Sequence, residues 1–188
     1  QRMDASVMDG RTRRAGAVCD VRRVASPVRA ALAVAQQSPH VLLAGAGAEA
    51  FAARIGLPLV DPVYFHDAHR LSQLEDALAR GLIVLDHSAS LPSEAGGTVG
   101  AVALDRNGHL AAATSTGGMT GKAPGRVGDS AIPGAGTWAD DRSCAVSATG
   151  HGERFIEANV AGRIAAWMEL AGLSLADAAA RVILEELP

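Results

Sequence analysis

Gly96-Gly97-Thr98-Val99-Gly100-Ala101-Val102-Ala103-Leu104 is the stretch on which the reading of this chain turns. Two glycines let the backbone bend and be approached closely, and an alternating apolar run follows at once. That order predicts a strand beginning at Thr98. The residues before it, 86–97, carry neither a helical nor a strand period and read as an exposed linker. Cleavage of the Gly97–Thr98 bond would give Thr98 both a hydroxyl nucleophile and a free α-amine as its base, a recognised way to activate a weak hydroxyl. The same residues also read as a glycine hairpin entering a strand, and alone they do not separate the two readings.

The chain has 188 residues, enough for one domain with a substantial core or for a piece of a larger one. Hydrophobic residues make up 48% and charged residues 20%, a globular rather than a disordered balance. A net charge of −3 argues against a nucleic-acid partner. Cys19 and Cys144 offer neither a disulfide framework nor metal-ligand spacing, and both read as small buried residues. No apolar run reaches the ~18 residues of a membrane span. No apolar segment follows Gln1-Arg2-Met3-Asp4 as a signal peptide requires, so a cytoplasmic location is the expectation. Residues 5–7 begin as though already inside a folded region, and 176–187 read as a helix stopping at Pro188. The chain is therefore expected to be truncated at both ends.

Strand-like and helix-like segments alternate through the first half. Strands are expected at 15–24 and 40–44, and helices at 26–37, with Ser26 as N-cap and Pro27 at the first helical position, and at 45–55. Gly45-Ala46-Gly47 lacks the third glycine and the later acid of a dinucleotide loop. From about 57 to 97 the chain reads as a long processing linker with one helical patch at 71–79. The second half opens with a hairpin: Asp105-Arg106-Asn107-Gly108 separates strands at 98–104 and 109–115. A further strand is expected at 144–148, one helix over 153–171 ended by Gly172, and a last helix at 175–187 capped by Ser174.

Beyond Thr98, three clusters in this half carry chemistry-bearing groups. Thr114-Ser115-Thr116-Gly117-Gly118 ends the neighbouring hairpin strand, where a hydroxyl could hydrogen-bond and orient Thr98. Gly125-Arg126-Val127-Gly128-Asp129-Ser130 sets an arginine and an aspartate three apart. An arginine fork suits a carboxylate and an aspartate suits an ammonium, so the pair fits an α-amino acid. In Thr149-Gly150-His151-Gly152 a hydroxyl and a glycine N–H could form an oxyanion hole. Each cluster has a plainer reading: strand threonines, a loop salt bridge between Arg126 and Asp129, a strand-to-helix turn. Their order is what argues for chemistry, which needs nucleophile, orienter, substrate clamp and oxyanion donor together. His151 reads as a loop residue. His66 and His69 have i, i+3 spacing with no third ligand in view, and no metal site is expected there.

These four segments, with 3–10, Ala15-Gly16-Ala17-Val18 and Ser38-Pro39-His40 in the first half, closely resemble the plant-type asparaginase, or isoaspartyl peptidase, family of N-terminal-nucleophile hydrolases. The resemblance implies an α+β fold, a four-layer αββα sandwich that is incomplete in this chain. It implies an α-subunit-like region at 1–97 and a β-subunit-like region at 98–188, together one domain, with self-cleavage between Gly97 and Thr98. By the same resemblance Thr98 is nucleophile and base, and Thr116 supports its hydroxyl. Arg126 holds the substrate α-carboxylate and Asp129 the α-amine. Thr149 and Gly150 stabilise the oxyanion, and Gly152 lines the pocket. The implied reaction forms a β-aspartyl ester on Thr98 and releases aspartate from asparagine or β-aspartyl dipeptides. No cofactor is implied for it. A structural monovalent cation belongs to an upstream loop of the family that is absent here. A homodimer of processed αβ units is implied. The alternatives are a glycosylasparaginase or threonine endopeptidase on the same scaffold, and a truncated, uncleaved, non-enzymatic relative. Gly97, where glycosylasparaginases carry aspartate, favours the isoaspartyl peptidase branch.

Overall fold

The computed structural model describes residues 1–80 and 97–187, apart from the side chains of His69, Arg70, Ala77 and Arg80. Strand β1 (Met3–Asp9) turns back into β2 (Arg14–Val21). The turn is tied by the Asp9 carboxylate, which accepts from the Arg11 N–H at 3.0 Å and the Thr12 hydroxyl at 2.9 Å. Helix α1 (Pro27–Gln37) starts with proline in its first turn. Ser26 precedes it in extended conformation, but its side chain makes no capping bond. Strand β3 (Leu42–Ala44) lies parallel to β2 and runs directly into α2 (Gly45–Arg54).

The stretch expected to be a long linker is ordered in its first part. It holds a 3-10 turn at Pro62–Phe65, capped by the Asp61 carboxylate, and helix α3 (Ala68–Arg80). The rest of that stretch, 81–96, lies outside the described residues.

Strands β4 (Thr98–Leu104) and β5 (Leu110–Thr116) form the expected hairpin, its turn held by the Asp105 carboxylate. β5 then pairs with β1, with Asp4 opposite Thr116, so the sheet order is β3-β2-β1-β5-β4. The central position of β1 joins the two halves of the chain into one sheet. Its period-2 pattern serves two faces. Ala5 and Val7 join Val18, Val21 and Val34 against α1, whereas Met8 joins Ala112 and Ala139 on the opposite face. Val18, Val21 and Val34 are fully buried, each stabilising the fold by about 1.5–3 kcal/mol.

The opposite face is covered by an antiparallel ribbon of β6 (Thr137–Ala139) and β7 (Ala145–Ser147). β6 has only three residues inside a glycine-rich stretch and gave no sequence period. Against the ribbon packs a cluster built on Phe155, Val160 and Ile164.

The helix expected over 153–171 is two, α4 (Gly152–Ala158) and α5 (Val160–Ala171). Asn159 breaks it in the left-handed region at φ 49°. The break frees the first amides of α5 for the loop before β6: Ala161 N–H donates to Ala135 O at 3.1 Å and Gly162 N–H to Gly134 O at 2.8 Å. Apolar spacing continues across the break because both helices bury their faces in one cluster. Gly172 ends α5, and Ser174 caps α6 (Leu175–Ala180), accepting from Asp177 N–H. The chain then widens into a π-turn at Arg181–Glu186. Among the described residues no helix is long and apolar enough to cross a membrane. Cys19 and Cys144 are both free and buried, as expected.

Candidate active site

Thr98 opens β4 directly opposite Thr116, the last residue of β5. Their hydroxyl oxygens are 3.0 Å apart. Thr116 Oγ1 also accepts the Gly118 N–H at 2.9 Å and lies 3.2 Å from the Gly97 carbonyl oxygen. A threonine hydroxyl has one proton to give. With Gly118 N–H and Thr98 Oγ1 both donating to Thr116, the Thr116 proton goes to the Gly97 carbonyl. The carbonyl on one side of the Gly97–Thr98 bond and the hydroxyl on the other are therefore joined through Thr116. The loop after β5 is anchored by Lys122, whose Nζ donates to Arg2 O at 3.1 Å and lies 3.4 Å from the fully buried Asp4 carboxylate.

Thr98 and Thr149 line one cavity of about 210 Å³, with Gly100, Val102 and Ser147 also in its wall. The strand β7 ends at Ser147, so Thr149 and Gly150 leave the ribbon over the end of β4 that carries Thr98. An exposed Thr149 hydroxyl and the Gly150 N–H are donors of the kind that stabilise developing negative charge on an oxygen.

A second group gathers at the N-terminus of α4. A Cβ on Gly152 would stand 2.6 Å from Arg126 Nη2 and 2.9 Å from Asp129 Oδ1, so only glycine leaves both side chains where they are. Arg126 and Asp129 thus meet across Gly152, and the turn 149–152 connects this group to the Thr98 cavity. They do not form the loop salt bridge that was one reading of their spacing. Arg126 instead pairs with Glu153 through a fork, Nε to Oε1 at 2.8 Å and Nη2 to Oε2 at 2.9 Å.

The two carboxylates respond oppositely. Hydrogen bonding from Arg126 holds Glu153 down to about 2. Burial pushes Asp129 up to about 6, with the Arg126 charge offsetting only part of the cost. Asp129 Oδ1 is the oxygen beside Gly152, whereas Oδ2 is buried against Gly136 without a hydrogen-bond partner.

Sequence reasoning assigned no role to Glu153, although it closes the Thr149–Gly152 motif, because the spacing of 27 residues from Arg126 carries no periodic signal. Of the two threonines in the cluster that ends β5, Thr116 meets the Thr98 hydroxyl, whereas Thr114 bonds Gly136 O and Ser147 instead. His151 sits in the turn with Nδ1 3.1 Å from Glu153 Oε2, a loop position as read. His66 is exposed, and the side chain of His69 lies outside the described residues. Among the described residues no group of three or more His, Cys, Asp or Glu gathers as a metal site.

A family model described as "Asparaginase" matches residues 1–188. The chain belongs to the asparaginase family. It is 55% identical over 188 residues to the isoaspartyl peptidase of Escherichia coli (strain K12), an alignment spanning 99% of this chain and 59% of that relative. It is 50% identical over 155 residues to the plant-type L-asparaginase of Pyrobaculum calidifontis, covering 82% of this chain and 51% of the relative. An isoaspartyl peptidase/L-asparaginase of Rattus norvegicus is 48% identical over 160 residues, 85% of this chain and 46% of its own. The chain thus spans about three-fifths or less of the length of these relatives. The mixed α+β architecture, with strands and helices from both halves in one body, is consistent with that family.

Proposed function

We propose that the protein carrying this chain is an autoproteolytically activated threonine amidohydrolase. It cleaves β-aspartyl dipeptides and L-asparagine and releases L-aspartate. The proposal includes the four-layer αββα sandwich of the N-terminal-nucleophile hydrolases and an assembly of two processed units. The observation that carries it is the contact of Thr116 with both sides of the Gly97–Thr98 bond.

In the first step Thr98 Oγ1 attacks the Gly97 carbonyl carbon. Its proton passes toward Thr116 while the Thr116 proton is delivered to the Gly97 oxygen. The C–N bond then breaks as the proton on the former carbonyl oxygen passes to the Thr98 nitrogen, which leaves as an amine, and Gly97 is held as an ester on Oγ1. Water hydrolyses that ester, leaving a Gly97 carboxylate and a free α-amine on Thr98.

In turnover the α-amine takes the Oγ1 proton as Oγ1 attacks the substrate β-carbonyl. The Thr149 hydroxyl and Gly150 N–H hold the oxyanion. The protonated amine gives its proton to the leaving ammonia or amino acid, and the β-aspartyl ester is hydrolysed by water. Arg126 takes the α-carboxylate and Asp129 the α-ammonium, with Gly152 leaving room between them. Glu153 already occupies the Nε/Nη2 edge of Arg126, so the substrate carboxylate meets the guanidinium on its remaining donors. The steps use the chain's own groups throughout.

The test is intact mass of the full-length protein with and without Thr98→Ala. Two fragments from the wild type and one uncut chain from the variant are expected. Cleaved protein should release aspartate from a β-aspartyl dipeptide and ammonia from asparagine. An uncut wild type after prolonged incubation, or cleaved protein that turns over neither substrate, refutes the reading.

A further inference from the structure

β4, which carries Thr98, and β7, which leads to Thr149, belong to different sheets and share no backbone ladder. Their separation is therefore set by side chains. Two register rows face each other between the sheets: Gly100, Thr114 and Ser6 across β4, β5 and β1, and Ser147 beside Thr137 across the ribbon. Hydroxyls fill the space. Ser6 Oγ lies 2.7 Å from Thr137 Oγ1, which lies 2.7 Å from Thr114 Oγ1, which lies 2.7 Å from Ser147 Oγ.

The row is tied to backbone at Ser6 and at Thr114. Ser6 shares its one proton between Ser130 O and Thr137 Oγ1, both at 2.7 Å, Thr137 donates to Thr114, and Thr114 donates to Gly136 O at 3.1 Å. With those protons spent, Ser147 donates into Thr114. Ser6, Thr114 and Thr137 are at most 1% exposed, so the bonds among these three are made in a dry interior. At the cavity end Ser147 stands directly over Gly100, where a Cβ would collide with its hydroxyl.

We propose that the hydroxyl row Ser6–Thr137–Thr114–Ser147 sets the distance between Thr98 and the Thr149–Gly150 donors, which makes Thr114 and Ser147 positioning residues for the reaction. The inference rests on the hydrolase reading above. Apolar sheet faces attract without direction and tolerate sliding. O–H···O bonds of 2.7 Å hold two sheets in one register, and a satisfied buried network selects one arrangement. Oxyanion donors need that precision, since they act at about 2.7–3.1 Å from the oxygen on which the charge develops.

Full-length wild type, Thr114→Val, Thr114→Ser and Ser147→Ala are compared for self-cleavage by intact mass and for kcat and KM on a β-aspartyl dipeptide. Valine keeps the shape of threonine without its hydroxyl; serine keeps the hydroxyl. Thr114→Val should lower kcat about tenfold or more, as misplacement by a fraction of an ångström does. KM should stay within about twofold, and Thr114→Ser should restore kcat. Wild-type kcat in Thr114→Val, or an equal loss in Thr114→Ser, overturns the inference, as does a loss confined to KM. If Thr114→Val does not fold, Ser147→Ala at the half-buried end is decided by the same split. A wild type that neither cleaves itself nor turns over refutes the hydrolase reading and this inference with it. A working wild type with an indifferent Thr114→Val refutes only the inference.

Discussion

Replacing Asp129 by asparagine should stabilise the protein while weakening its grip on substrate. The Asp129 side chain is 6% exposed, and burial raises it from 3.8 to about 6. The native state therefore holds this proton more tightly than the unfolded chain does. Stability from the group is fully present below pH 3.8 and is lost as pH rises through about 6. That rise from 3.8 to about 6 corresponds to about 3 kcal/mol carried as a penalty above pH 7, and to about half of that at pH 5. Asparagine carries no charge at either pH and escapes the penalty. Urea unfolding of the uncleaved Thr98→Ala background, with and without Asp129→Asn, measures the difference. At a slope of about 2 kcal/mol/M, the midpoint should rise by up to about 1.5 M at pH 7.5 and by about half that at pH 5. A variant less stable than its parent at pH 7.5, or a difference that does not change with pH, refutes the reasoning. It would mean that the Arg126 charge outweighs burial. In cleaved protein the wild-type KM should rise as pH falls through about 6, because the protonated carboxyl no longer attracts an ammonium, and Asp129→Asn should abolish that dependence.

Two further substitutions probe the clamp. Arg126→Lys retains charge but loses the planar fork that pairs with Glu153; KM should rise by about one to two orders of magnitude, the worth of one charged hydrogen bond, with self-cleavage intact by mass. Gly152→Ala puts a methyl 2.6 Å from Arg126 Nη2, so KM for the dipeptide should rise about tenfold; an unchanged KM would place substrate recognition elsewhere.

Much of the site was legible because its parts are local. The hairpin announced itself through Asn107-Gly108, and its register alone brings Thr98 opposite Thr116. The helix at Pro27–Gln37 followed from Ser26 and Pro27 at its start, although Ser26 contributes no side-chain bond. By contrast, the apolar spacing of 153–171 runs unbroken through a real break, because periodicity reports which side is buried and not whether the backbone continues. Asn159 is left-handed because the loop at Gly134–Ala135 offers carbonyls to α5.

Which residue types meet at a strand start, a hairpin end and a glycine turn is readable locally, since it depends on neighbours within a few positions. The partner of Arg126, the burial that raises Asp129, and the hydroxyl row that joins β1, β5 and the ribbon arise from long-range packing. The Arg126 pair and the hydroxyl row join groups 23 to 131 residues apart, brought together by burial of faces that carries no address in the sequence.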